Sequence, residues 1–207
     1  MPSLFSLLFL LLLMALPAAL IRRIRKKRRA AKQNVLPVCT AIPEKKPDTV
    51  ALRKLTRIDE DVSERLRCQY IALDFETTGL RRDMDRVIQI GAVLFKECRP
   101  HRSFSTFVNP GMPIPSAASR INHISDDMVA DAPDEKEAAA GLYAFLGDAC
   151  SGQTLLCAHN APFDMAFLSA MFNRAGLSAT IAYVDTLSLA RNYIPGLPNY
   201  KQSTVLS

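Results

Sequence analysis

YIALDFETTGL, residues 70–80, is the stretch that decides the fold. Its first six residues, YIALDF, form a short apolar run with aromatic and β-branched members, which reads as a buried strand. Two acids, Asp74 and Glu76, stand at positions i and i+2 near the end of that strand. Strand side chains alternate, so both carboxylates lie on one face. Side by side at the end of an apolar strand they repel each other and are costly to bury. A divalent cation would offset that cost, and hard oxygen ligands suit Mg²⁺ or Mn²⁺. The alternative on spacing alone is a strand end with two solvated acids.

Further elements follow along the chain. RVIQIGAVLFKE, residues 86–97, and RSFSTFVNP, residues 102–110, alternate like strands, and Asn109-Pro110 is a turn signal. His101 falls in the intervening turn, ECRPHRS. Three consecutive strands with short links suggest an antiparallel meander. A helix is predicted at about 134–149, with Ala138, Leu142, Phe145, Leu146 and Ala149 on one stripe. TLLCAH, residues 154–159, reads as a fourth strand. Asn160 is the expected cap of the next helix, which has Pro162 in its first turn and Phe163, Phe167, Leu168 and Met171 inside. IAYV, residues 181–184, is a fifth strand, and Thr186 to Tyr193 a further helix. The class is α/β, a mixed five-stranded sheet with flanking helices. Asp164, in HNAPFDMAFL, is a third acid in the first turn of a helix that follows a strand directly. By itself it reads equally well as a favourable charge at a helix N-terminus.

Upstream the composition changes. The chain of 207 residues carries 26 Lys plus Arg and 20 Asp plus Glu, a formal +6. Eight of those bases crowd into residues 22–32, where no acid occurs; the other 18 bases face all 20 acids, so the rest of the chain is slightly acidic. The basic balance is therefore a property of one segment, which removes the inference that the whole body is a basic nucleic-acid binder. Apolar content of 49% and charged content of 22% exclude a disordered chain. Five cysteines with no C-x-x-C spacing read as thiols of a reducing compartment rather than a disulfide or zinc framework.

Residues 3–21, SLFSLLFLLLLMALPAALI, contain no charge and as a helix would span about 28 Å. Positive charge follows this run instead of preceding it, which favours a transmembrane anchor over a cleaved signal peptide. The expectation is an anchor at 1–21 in the inner membrane, single-pass, with the body on the cytoplasmic side and residues 22–32 at anionic lipid. Pro37, Pro43 and Pro47 mark a tether. Leu52, Leu55, Ile58, Val62 and Leu66 then predict an amphipathic helix over 48–66, capped by Asp48. The expected domains are the anchor at 1–21, a juxtamembrane and helical segment at 22–68, and a folded body at 69–207.

D-F-E-T-T-G-L at 74–80 and H-N-A-P-F-D-M-A-F-L at 159–168 resemble the first two motifs of the DnaQ-like 3′–5′ exonucleases, a family that includes the proofreading epsilon subunit of bacterial DNA polymerase III. RVIQIGAV at 86–93, FVNPGMPIP at 107–115, INHISDDMV at 121–129, VDTLSLAR at 184–191 and PGLPNYK at 195–201 also match. The resemblance covers about residues 69–207. It implies a ribonuclease H-like fold and two-metal hydrolysis of the terminal phosphodiester, releasing nucleoside 5′-monophosphates from a 3′ end. Asp74, Glu76 and Asp164 would be the catalytic acids and metal ligands. Thr77, Thr78, Gly79 and Leu80 would seat the terminal nucleotide, with His159 and Asn160 positioning substrate or fixing the loop. The partner implied is a single-stranded or 3′-terminal nucleic acid. DFETTG resembles the proofreading branch, which favours DNA. A polymerase is a further partner that the resemblance suggests.

The family's third motif, H-x-x-x-x-D, supplies a general base and a fourth ligand, and neither His101 nor His123 fits it. Asp185, in VDTL, belongs to a recurring family segment and is not that ligand. Some members have His at the position of Asn122 followed by Gly, where this chain has His123. A positioned base contributes ~10²–10⁴-fold to rate. The expectation is a shortened exonuclease domain that hydrolyses slowly, with a catalytically impaired nucleic-acid-binding module as the alternative.

Overall fold

The structure is a computed structural model that describes residues 50–206. It is an α/β domain built on one six-stranded sheet. In chain order the elements are β1 (Ala51–Leu55), α1 (Glu60–Cys68), β2 (Gln69–Thr77), β3 (Val87–Lys96) and β4 (Arg99–Phe107). Two short helices follow, α2 (Ser116–Asn122) and α3 (Asp126–Val129), then α4 (Glu135–Leu146) and a 3₁₀ turn at Gly147–Ser151. β5 (Leu155–Ala158), α5 (Ala161–Arg174), β6 (Thr180–Asp185), α6 (Thr186–Tyr193) and α7 (Gln202–Leu206) complete it.

The sheet order is β1-β6-β5-β2-β3-β4. β1, β6, β5 and β2 run parallel, whereas β2-β3 and β3-β4 are antiparallel. The meander expected from residues 70–110 is therefore present, and β2 is where the parallel and antiparallel halves meet. Alternation along β2 divides the core. Ile71, Leu73 and Phe75 pack with α4 and α5 through Leu142, Phe145, Phe167, Leu168 and Met171. Tyr70 and Ala72 face the other way, among Val62 and Leu66 of α1 and Val184 of β6. Burying each such aliphatic side chain contributes roughly 1.5–3 kcal/mol. α4 begins with a capping box: the Asp134 carboxylate accepts from Glu137 N, and the Glu137 side chain returns to Asp134 N.

Two sequence expectations change here. The helix expected over 48–66 is two elements. Residues 51–55 are a strand parallel to β6, in register Ala51↔Thr180 through Leu55↔Val184, and only Glu60–Cys68 is helical, capped by Asp59 at Val62 N. Ala, Leu, Arg and Lys favour helix locally, but the open edge of β6 offers a ladder of backbone partners that local periodicity cannot reveal. The five-stranded sheet is thereby corrected to six strands.

The membrane assignment is also corrected. Among the described residues no helix is long and apolar enough to cross a membrane. The longest, α5, has 14 residues, about 21 Å, and carries Asp164 and Arg174. Residues 3–21 and 22–32, which carried the expected anchor, lipid contact and inner-membrane location, lie outside the described residues.

Candidate active site

β2 is nine residues long and β5 only four. Their parallel pairing ends at Ala72↔Cys157, so the edge of β2 beyond that point has no strand beside it on the β5 side. A backbone N–H exposed there needs an acceptor. Asp164, in the first turn of α5, supplies it: its Oδ1 accepts from Phe75 N at 3.1 Å. Phe75 is the residue between Asp74 and Glu76, so the third acid is fastened to the backbone that carries the first two. Period-two alternation puts Asp74 and Glu76 on the same face as Tyr70 and Ala72. Asp164 comes from a helix packed on the opposite face and reaches the sheet at its carboxyl-terminal edge, where open α/β sheets bind ligands.

The electrostatics are those of crowded acids. Asp164 is only 3% exposed. Burial, followed by the negative charge of Asp74, holds its carboxyl well above the usual carboxylate range; the N–H groups of Phe75 and of Asp164 itself oppose this, and Glu76 adds a further upward push. Glu76 is pushed up to about 7, by burial first and by Asp74 second. Among the described residues no ion pair engages Asp164 or Glu76.

Next to the acids, β2 ends in a register shift between Glu76 and Thr77. Thr77 and Thr78 are buried, and Leu80 is 84% exposed. The Thr77 hydroxyl donates to Gly79 O at 2.6 Å, and Asn122 Nδ2 donates to Thr77 O at 3.3 Å, which ties α2 to the end of β2. His123, one residue on, has φ 60 and closes α2 in the left-handed region, where glycine is favoured.

His159 and Asn160 follow β5. Both ring nitrogens of His159 have internal partners, Nδ1 with Thr186 Oγ1 at 3.2 Å and Nε2 with Tyr200 O at 2.8 Å. A carbonyl only accepts, so Nε2 carries a proton. Asn160 holds the cap position of α5 at φ 62, but its side chain makes no capping hydrogen bond. The Asp185 carboxylate takes Ala161 N instead, at 3.3 Å. Sequence reasoning gave Asp185 no role. It is 4% exposed and binds Lys54 at 2.8 Å, Ser188 Oγ at 2.6 Å and Leu187 N at 3.2 Å. Its position between a strand and a helix is an N-cap signature that was present in the sequence.

The residues fit a divalent metal in kind: three carboxylates of hard oxygen, two of them held above their ordinary pKa. As they stand, the side chains are open and not closed on a common point. Among the described residues no group of three or more acids, histidines or cysteines is arranged to hold an ion. The four described cysteines, Cys68, Cys98, Cys150 and Cys157, are free.

The fold is thus a six-stranded mixed α/β sheet that carries Asp74 and Glu76 near the carboxyl end of its central strand β2, with Asp164 bonded to the backbone between them. Residues 71–206 match the Exonuclease family, and the chain belongs to it. The family is one of 3′–5′ exonucleases, phosphodiester hydrolases of a kind that uses divalent metal ions. Among its relatives, the PolC-type DNA polymerase III of Caldanaerobacter subterraneus subsp. tengcongensis is 37% identical over 140 residues, 68% of this chain and 10% of that protein. The DNA polymerase III epsilon subunit of Treponema pallidum is 38% identical over 135 residues, 64% of this chain and 60% of that one. This chain thus spans about a tenth of the length of its PolC-type relatives. E. coli exonuclease I, in complex with a dT13 oligonucleotide, shares the fold at TM-score 0.58 and 17% identity, over 67% of this chain and 35% of that one.

Proposed function

We propose that this chain is a metal-dependent 3′–5′ exonuclease that removes nucleoside 5′-monophosphates from the 3′ ends of nucleic acid, with DNA as the substrate. The observation that supports the reading is the hydrogen bond from Phe75 N to Asp164, which fastens Asp164 to the stretch of β2 that carries Asp74 and Glu76. Asp74, Glu76 and Asp164 would hold Mg²⁺ or Mn²⁺, which in a pair would supply charge to activate an attacking water and to steady the leaving 3′ oxygen. The protein's own share is to bring the acids together, exclude water around Asp164 and present the Thr77–Leu80 loop to the terminal nucleotide. Leu80 offers the base an apolar surface, and Thr77, Thr78 and Gly79 shape its seat. His159 and Asn160 fix the start of α5. The proposed catalytic unit is residues 69–207, with β1 and α1 as a brace. The choice of DNA is supported by the DFETTG pattern and by relatives named as DNA polymerases.

A second reading is a nucleic-acid-binding module of low activity. It is favoured by the open arrangement of the acids and by the histidines. His159 is bonded to Thr186 and Tyr200, and His101 lies in β4, whose pairing with β3 puts it at the far end of the sheet from the acids. One experiment separates the two. The full chain is incubated with a 5′-labelled single strand and Mn²⁺. Mononucleotide release that disappears in Asp74→Ala supports the enzyme, whereas retention of the strand without release supports the module.

A further inference from the structure

We infer that Asp85, outside both recognised motifs, is a positioning residue that sets the shape of the Thr77–Leu80 loop. The inference deepens the exonuclease reading and rests on it.

Residues 79–85 bridge β2 and β3. The bridge is closed at its base by Thr78 and Arg86, whose backbones pair at 2.9 Å from Thr78 N to Arg86 O. The Asp85 carboxylate folds back into the middle of it. Oδ2 accepts from Arg81 N at 2.7 Å, and Oδ1 accepts from the Thr78 hydroxyl at 3.3 Å. That hydroxyl in turn accepts from Arg86 N at 3.0 Å. The Asp85 N–H donates to Arg81 O at 2.6 Å, so Arg81 and Asp85 grip each other through both side chain and backbone.

The same carboxylate explains the glycine. A β-carbon at Gly79 would lie 2.5 Å from Asp85 Oδ2 and 2.7 Å from its Cγ. Gly79 is not among the glycines with positive φ, so its backbone would accept an alanine; space is what opposes it. Asp85 therefore occupies the volume that Gly79 leaves empty. Leu80 lies between Gly79, whose missing side chain leaves room for this carboxylate, and Arg81, whose N–H is bonded to it, and its own side chain is exposed. On the outer side Arg174 and Arg86 both reach Glu135, and Arg174 Nη1 donates to Arg82 O at 3.2 Å. The outer clamp holds the bridge to α4 and α5, and the inner carboxylate sets the conformation of its functional end.

The test uses the full chain with single-stranded DNA and Mn²⁺. Asp85→Ala raises KM about 10–100-fold, the range expected for misplacing a positioning element, with a smaller change in kcat. Asp85→Asn, which keeps the volume and one acceptor, recovers part of the loss. Gly79→Ala is damaging on its own, but less so in the Asp85→Ala background, because the atoms its methyl would meet are gone; the two changes are non-additive. Hydrogen exchange provides a readout independent of activity. In Asp85→Ala the Arg81 amide exchanges at least about tenfold faster while amides of the sheet core are unchanged. Independent, multiplying effects of the two substitutions overturn the inference, as does an unchanged Arg81 amide. An intact Arg81 effect in a chain that releases no mononucleotide overturns the exonuclease reading and leaves the loop architecture standing.

Discussion

Asp164 and Asp185 invite comparison. Both lie at the carboxyl edge of the parallel strands, both fall in the first turn or cap of a helix that leaves that edge, and they are 3% and 4% exposed. Their surroundings differ in one respect. Asp185 has a cation, Lys54, and donors from Ser188, Leu187 and Ala161. Burial pushes its carboxyl up, yet those partners together hold it below the usual carboxylate range. Asp164 has the Phe75 N–H and two acids for neighbours, and its carboxyl is held well above that range. The difference teaches what burial alone cannot: one carboxylate is spent on joining β1, α5 and α6, while the other is left short of positive charge. A site short of positive charge in a folded protein invites a cation from outside.

The largest effect that would break this contrast is catalytic. Asp164→Asn keeps the size of the side chain and an acceptor for Phe75 N, but removes the charge. Hydrolysis of a labelled single strand is expected to fall by ~10²-fold or more, the scale of losing a group that stabilises transition-state charge. Asp185→Asn should leave kcat per folded molecule within a factor of a few. Equal losses in the two variants would erase the distinction between a catalytic and a structural aspartate.

Stability should show the reverse ranking. Asp185→Asn leaves Lys54 without its carboxylate and weakens the bonds to two helix starts. Hydrogen bonds to charged groups contribute about 1.5–3 kcal/mol each, and Lys54 is 31% exposed, which lowers its share. A loss of about 2 kcal/mol in urea unfolding is expected, with Asp164→Asn neutral or stabilising in EDTA. Lys54→Met sharpens the comparison further, because it turns Asp185 into a second acid without a cation. Its melting temperature should then fall with rising pH where the wild type's Asp185 contribution is flat. A Lys54→Met chain with wild-type stability would mean that β1 is held by its ladder alone.

How much of this was legible differs by element. β2 through β6 and α4 to α6 follow from local apolar patterning. β1 was not legible, because its partner β6 lies far along the chain: Lys54 and Asp185 are 131 positions apart. The β3-β4 turn was misplaced for a different reason. It consists of Glu97 and Cys98 alone, at φ 48 and 62, and neither is a residue that favours the left-handed region. His101 is accordingly in β4, not in the turn. Pro100 sits in β4 without harm because β4 is an edge strand. At the site, period two brought Asp74 and Glu76 together. The approach of Asp164 came only from family resemblance, since no local pattern foretells that β5 stops short and leaves Phe75 N in need of an acceptor.

The smallest effect tests the contrast through pH. Glu76 and Asp164 have raised values in the folded chain, so the stability they contribute is full below the ordinary carboxylate value and is lost as pH climbs through the folded value. For Glu76 that window runs from 4.5 to about 7. Asp185 is lowered, so its contribution is full above 3.8 and is lost as pH falls through its folded value. In EDTA the wild type should therefore melt at a temperature that declines from pH 4.5 to about 7, with Asp164→Asn losing less as pH rises and Asp185→Asn flatter only on the acid side. At about 2–4 °C per kcal/mol for a domain of this size, differences of a few degrees are expected. Adding Mn²⁺ at pH 8 should lift the wild-type melting temperature and not that of Asp164→Asn, because only the wild type keeps the full set of carboxylates for an ion to bind in the folded state. An equal Mn²⁺ response in both chains would detach Asp164 from the cation and leave it, like Asp185, a residue of the fold.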